Sequence, residues 1–264
     1  MSPVITGLRV AAGVTTIIPV GRLPDIDRAA ARTAMLLTPV AILPILAIAT
    51  AAGALATELG VPEVVAGAAA VGVMTYGSRA MHVDGLADTV DGLGGGWTRE
   101  RALQIMRTGD VGPMGVAAIV LVLLVQSATL GALFGTPRGW LVAAAALCWS
   151  RVGTAITAER HFPAARSDGL GAVMSGSVPM ALAGIAVIGY GAVLSAATWW
   201  WQSTSSAPGR PWLGSIAAAA ATVSVLLLLQ RVIRRIGGVT GDVFGAAIEV
   251  ALTVTLVVLS AGVR

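Results

Sequence analysis

The chain has 264 residues, 56% of them hydrophobic and only 11% charged, with 17 basic residues against 13 acidic ones for a net charge of +4. With a mean hydropathy of +0.85, this composition excludes an ordinary soluble domain and points to an all-α, polytopic helical bundle in a lipid bilayer. Every basic residue is an arginine and none belongs to a cluster resembling a nucleic-acid footprint, so a nucleic-acid partner is excluded and the basic balance reads as topology and anion contact.

The apolar stretch from Val10 to Val20 is short, broken by Gly13 and Pro19, preceded by only Arg9 and without a cleavage signal. It is expected to remain as a short N-terminal helix, interfacial or partly re-entrant. Spanning takes about 20 apolar residues at a rise of about 1.5 Å each. Seven runs meet or approach that length: Ala34 to Leu55, Val61 to Met81, Met114 to Leu133, Trp140 to Ile156, Val178 to Ala197, Leu213 to Leu229 and Val243 to Val263. No repeat or linker divides them, so residues 1–264 read as a single membrane domain. All arginines except Arg138, Arg210 and Arg264 fall on one side of this layout. That asymmetry predicts a cytoplasmic side carrying the active-site loops, in the cell (plasma or inner) membrane, with the N-terminus inside and the C-terminus outside. Trp140, Trp199, Trp200, Trp201 and Trp212 cluster at the opposite ends of the spans, where indoles favour the headgroup level. Ser203 to Gly209 is a polar connector, and the single cysteine, Cys148, excludes an intramolecular disulfide.

Three groups of residues carry chemistry. The first is His82-Val83-Asp84-Gly85-Leu86-Ala87-Asp88-Thr89-Val90-Asp91-Gly92, at the end of the second apolar run. If the helix entering it continues, about 100° per residue puts Asp84, Asp88 and Asp91 within about 60° of one another. Like charges so placed need a cation, and a hard divalent ion such as magnesium suits their oxygens. Gly92, Gly94, Gly95 and Gly96 are expected to end that helix and to leave amides for a phosphate. Thr98 then reads as the cap of a short helix bearing Arg101 and Arg107, whose paired donors suit a diphosphate, although a solvated positive-inside helix explains them equally well.

The second group is Asp242 and Glu249, seven residues apart and so on one helix face, with Glu249 about 10 Å deeper. A carboxyl at that depth is costly unless paired or wet, which marks it as functional, whereas Asp242 alone also fits a helix cap. The third group is Arg151, Glu159, Arg160, His161, Arg166 and Asp168 with Gly169-Leu170-Gly171. Arg151 is expected to snorkel from the end of its span, and His161 reads as a loop or interface histidine rather than a metal ligand. Together the third group reads as an anion site, and all three groups lie on one membrane face at helix ends that can converge, the carboxylates to hold metal and the arginines to hold phosphate.

The acidic run, the segment Arg101-Ala102-Leu103-Gln104-Ile105-Met106-Arg107 with Gly112 and Gly115, and Gly238-Val239-Thr240-Gly241-Asp242-Val243-Phe244-Gly245-Ala246 closely resemble the adenosylcobinamide-GDP ribazoletransferase (cobalamin synthase) family. The resemblance covers nearly the whole chain, in motif order and multi-span layout, and is loose only from Thr16 to Pro24. The family commonly reads Arg-Asp-Ser after the methionine, whereas here Arg107 is followed by Thr108 and Gly109, with Asp110 displaced by two. The resemblance implies a magnesium-dependent transfer in which the 5'-oxygen of α-ribazole, or of its 5'-phosphate, attacks the cobinamide-bearing phosphorus of adenosylcobinamide-GDP and GMP leaves. On this reading Asp84, Asp88, Asp91 and Asp242 hold or surround the metal. His82 or Glu249 is the base, with Arg101, Arg107, Arg151, Gly92 and Gly94 contacting phosphate. A CDP-alcohol phosphotransferase is the related alternative, but it calls for Ala-Arg soon after Asp-Gly, where this chain has Leu93-Gly94-Gly95-Gly96. A cation or small-solute transporter is the alternative of another class, and its carboxylates belong near the bilayer midplane.

Overall fold

The computed structural model describes residues 2–23, 25–203 and 209–263, so Pro24, Arg264 and most of the Ser203 to Gly209 connector lie outside it. Among the described residues the fold is helical: α1 (Pro3–Thr15), α2 (Arg28–Ala41), α3 (Leu43–Glu58), α4 (Glu63–Gly77), α5 (Met81–Gly95), α6 (Arg99–Ile105), α7 (Pro113–Phe134), α8 (Gly139–Ser150), α9 (Val152–Thr157), α10 (Gly169–Met174), α11 (Met180–Ser203), α12 (Leu213–Ile236) and α13 (Gly241–Ser260). Six stretches are long and apolar enough to cross a membrane: Arg28–Glu58, Pro113–Phe134, Gly139–Thr157, Met180–Ser203, Leu213–Ile236 and Gly241–Ser260. The chain is a multi-pass membrane protein. Asp27 starts the first stretch by accepting from the Ala30 amide at 2.7 Å, and that stretch breaks at Ile42, where Pro44 cannot donate to the preceding turn. The N-terminal helix α1 buries Val10 and Ala11, and just beyond it the Ile17 amide reaches the Gly77 carbonyl at 2.7 Å.

The expected seventh span, Val61 to Met81, is the point of difference. Its helix α4 has only 15 residues, and the chain then turns through Arg79 and Ala80, both left-handed at φ 56° and 57°. Two consecutive non-glycine residues in that region are uncommon. They are held by Ala80 N–H on Thr75 O at 2.7 Å and by Arg79 Nη2 on Gly13 O at 2.8 Å. The acidic run is therefore a separate helix, α5, re-aimed by this turn rather than a continuation of α4. The helix does end in the glycine run, at Gly95 with Gly96 as its cap, but Gly92 and Gly94 lie inside it. The cost of interior glycine, about 0.5–1 kcal/mol each, is set against packing: a Cβ at Gly92 would collide with Met106, and one at Gly94 with Met114.

Close backbone approach then places α5. A Cβ at Gly85 would stand 2.5 Å from the Asp242 carbonyl, and one at Gly245 would stand 2.9 Å from His82 Cα, so α5 and α13 cross antiparallel with main chain against main chain. Small residues permit such contact between membrane helices. At the arginine-rich end the connecting segments are stitched by guanidinium groups on carbonyls. Arg28 donates to Gly176 O at 2.7 Å, Arg99 to Ile236 O at 2.8 Å and Ala165 O at 2.9 Å, Arg166 to Leu103 O at 2.5 Å, and Arg235 to Gly96 O. At the other end Trp140, Trp199, Trp200 and Trp212 are exposed, while Trp201 is buried and donates to Thr136 Oγ1 at 3.0 Å. Replacing Gly245 by Val should force α5 off α13 at a cost of about 1–3 kcal/mol or more. The check is a lowered thermal midpoint in detergent, with the same substitution at the loosely packed Gly189 leaving it nearly unchanged.

Candidate active site

A cleft of about 390 Å³ opens at the arginine-rich end, lined by Met81, Asp84, Arg107, Arg166, Asp168, Gly169 to Ala172 and Val239 to Asp242. Two larger grooves, about 510 and 550 Å³, lie on the outer faces of α12 and of α4 with α7; they expose mainly apolar surface, and each has a single arginine, Arg234 or Arg79, with no carboxylate in its lining. Converging charge, more than volume, marks a reaction site, and that selects the smaller cleft. Each bank has its own origin. The first turn of α5 supplies Asp84, and the first turn of α13 supplies Asp242, whose Oδ2 accepts from Thr240 Oγ1 at 2.9 Å. The turn after α6 supplies Arg107, and the segment before α10 supplies Arg166 and Asp168.

Asp88 lies one turn beyond Asp84. Burial and then repulsion by Asp242, Asp84 and Asp91 push its carboxyl up to about 7, with Arg166 opposing. Four carboxylates thus repel across the meeting of two helices. Asp91 is relieved differently, its two oxygens accepting from the Gly112 amide at 2.7 Å and the Gly115 amide at 2.9 Å, so it caps the start of α7. Among the described residues no three His, Cys, Asp or Glu side chains close into a ready metal cage. Magnesium needs less, taking one or two carboxylates, several waters and substrate phosphates. The donor set of Asp84, Asp88 and Asp242, all hard oxygens short of positive charge, fits that pattern.

Several sequence-derived candidates lie elsewhere. Arg101 is exposed, bonds Gln104 Oε1 at 3.0 Å and does not line the cleft. Gly92 and Gly94 pack on methionine side chains. Asp110 is exposed and outside the lining, and the acid that meets Arg107 is Asp168. His161 pairs with Glu159 at 2.9 Å, in keeping with an interface histidine. Arg166 and Asp168 belong to the third charged group and do line the cleft, whereas Thr240 has no local signal; the place of all three depends on the segment around 164 folding onto Val239. That fold-back shows as Ala165 N–H on Val239 O and Val239 N–H on Pro163 O, both 2.8 Å, and leaves no periodic trace in sequence.

The family model described as cobalamin-5-phosphate synthase matches residues 7–260. The chain belongs to this family. A relative from Nocardioides sp., named adenosylcobinamide-GDP ribazoletransferase, is 40% identical over 96% of this chain and 97% of its own length. One of the same name from Bradyrhizobium diazoefficiens is 37% identical over 98% of this chain and 94% of its own. No solved structure matches.

Beneath the cleft, this cobalamin-5-phosphate synthase family member encloses a second polar group. His82, Arg151, Glu249, Gln126, Thr75 and Ser78 line a closed chamber with about 10 Å³ of open space, about that of one water. Arg151, expected to snorkel, is instead only 2% exposed, because it sits at the junction of α8 and α9 and faces inward. Its Nη1 donates to Ser150 Oγ at 2.7 Å, while its Nε and His82 Nδ1 have no protein partner. Glu249 accepts from Gln126 Nε2 at 2.7 Å and shares the chamber lining with Arg151. One water bridging these groups would complete their hydrogen bonds. Unmatched charge in such an interior is expensive, so Arg151→Met should destabilise by about 3–5 kcal/mol, and Arg151→Met with Glu249→Met by much less than the sum of the single changes. Denaturation of the four proteins in detergent gives this cycle directly.

Proposed function

We propose that the protein joins adenosylcobinamide-GDP to α-ribazole, or to α-ribazole 5'-phosphate, with release of GMP. The reaction takes place at the cytoplasmic face of the cell membrane, with magnesium held by Asp84, Asp88 and Asp242. One observation carries the reading: carboxylates from α5 and α13 meet guanidinium groups from two connecting segments in one cleft at the arginine-rich end. The names of the relatives support the substrates, and the arginine distribution supports the cytoplasmic side.

In this reaction a ribose hydroxyl that is free in both ribazole substrates, and so not the 5'-oxygen that the 5'-phosphate already esterifies, forms a bond to the cobinamide-bearing phosphorus; its proton passes to water in the cleft, and the bond from that phosphorus to the oxygen carried away by GMP breaks. Such a step needs alignment and neutralisation of oxygen charge more than covalent help from the protein. Bound magnesium supplies Lewis-acid charge for the phosphate oxygens. Asp84 and Asp242 fix its position from two helices, and Thr240 holds the Asp242 carboxylate in place. Arg107 and Arg166 face them and bind the remaining diphosphate oxygens. Asp91 keeps the start of α7 against α5, which fixes the loop that carries Arg107. His82 and Glu249 lie in the closed chamber, and we assign them to positioning α5 against α13 rather than to removing the nucleophile's proton.

The test is to incubate the purified protein with adenosylcobinamide-GDP, α-ribazole and magnesium and to measure GMP. Product is expected, and its absence with folded protein overturns the reading. Chelation by EDTA should abolish GMP release, with activity restored by added magnesium. Asp84→Asn and Asp242→Asn should each lower kcat/KM by about 100-fold or more, beyond the loss typical of outer-shell metal partners, while membrane insertion stays normal.

A further inference from the structure

Arg107 and Asp168 face each other across the mouth of the cleft. Arg107 Nη2 meets both oxygens of Asp168, at 3.0 and 2.9 Å, and the two side chains are 56% and 67% exposed. They lie 61 residues apart in sequence, one on the turn after α6 and one just before α10, so the pair spans the opening. Arg166 stands near enough for the Arg107 charge to act on it. It spends one Nη2 donor on Leu103 O, and its buried Nε has no partner. Both guanidinium groups line the cleft, where like charges repel unless anions lie with them; Asp242, Asp168 and Asp88 act on Arg166, and of these Asp168 is the one bonded to Arg107. The other bonds holding this segment run to main-chain carbonyls, so Asp168 can move away without unravelling it.

We infer that Arg107 and Arg166 form a two-guanidinium site for a phosphate or diphosphate oxyanion, and that the carboxylate of Asp168 is its resting occupant, displaced when the phosphorylated substrate enters. The proposal rests on the reading above for the identity of that substrate and for its contact with Arg107 and Arg166, and adds to it a positioning residue, Asp168. The exchange is feasible because an exposed carboxylate pair contributes little, whereas phosphate offers more charge and more acceptors to paired guanidinium donors. While the cleft is empty, Asp168 keeps Arg107 aimed at the place the diphosphate will take. It also screens two adjacent cations from each other.

The experiment measures binding of inorganic pyrophosphate to the full-length protein by titration calorimetry. It is done in a maltoside detergent, which carries no phosphate, with EDTA present so that the metal carboxylates play no part. Removing the competing charge in Asp168→Asn should tighten binding by about two- to fivefold, the equivalent of the strength typical of an exposed ion pair. Arg107→Gln should weaken binding, and Asp168→Asn should give no gain in the Arg107→Gln background. Arg166→Gln should weaken binding while Arg166→Lys restores part of it. Damage to the fold lowers affinity, so a gain isolates release of a competitor. Unchanged or weaker binding in Asp168→Asn, or a gain that persists without Arg107, overturns the proposal. With active wild-type enzyme, such a result removes the resting-occupant role alone. Wild-type protein that binds pyrophosphate as inferred but makes no GMP removes the assigned reaction instead.

Discussion

Main-chain contact between α5 and α13 is the constraint on which the cleft depends. Asp84 and Asp242 come from segments more than 150 residues apart in the chain, and each sits in the first turn of its helix. Their side chains are short, so they share one cation only if the two backbones nearly touch. Gly85 and Gly245 permit that approach, one lying against Asp242 and the other against His82. The same contact that packs the bundle therefore gathers negative charge, and the resulting repulsion is the electrostatic basis for a cation there.

Polar groups are divided between two levels that do different work. In the cleft, the charges are exposed or half-buried and left short of partners, which suits exchange with a ligand. In the chamber beneath, Arg151, Glu249, Gln126 and His82 are enclosed together, with Gln126 bonded to Glu249. Buried ionic groups contribute little net stability against an apolar alternative, but they penalise any arrangement that separates them. Here they draw on α5, α7, α13 and the α8–α9 junction, and so favour the register in which the acidic turn of α5 faces α13.

Much of this was legible in the sequence because it rests on periodicity and composition. The apolar runs, the arginine asymmetry, the Thr98 cap and the spacing of Asp84 and Asp88 each report a local rule, and the motifs around them carried the family resemblance. Thr98 does accept from the Arg101 amide at 3.2 Å. What escaped depends on tertiary geometry. The turn at Arg79 and Ala80 uses left-handed backbone at residues that do not advertise it, so the short apolar helix α4 and the largely buried helix α5 looked like one element. Gly92 and Gly94 looked like breakers because the methionines that fill the space beside them come from distant segments. Arg151 looked like a snorkelling residue because the polar side chains it meets inside, His82, Gln126 and Glu249, lie on other helices. Arg166 and Asp168 gain their place only once residue 165 bonds residue 239.

The arginine-only basic composition has a further physical meaning once the carbonyl contacts of Arg28, Arg99, Arg166 and Arg235 are considered together. A carbonyl oxygen neither titrates in water nor exchanges counterions, and a planar guanidinium holds several such acceptors in fixed directions where an ammonium holds a point. The loops around the cleft are thus tied by contacts indifferent to acidity and weakly sensitive to salt. An ionic ligand can rearrange the charged groups at the mouth while the frame beneath stays knitted.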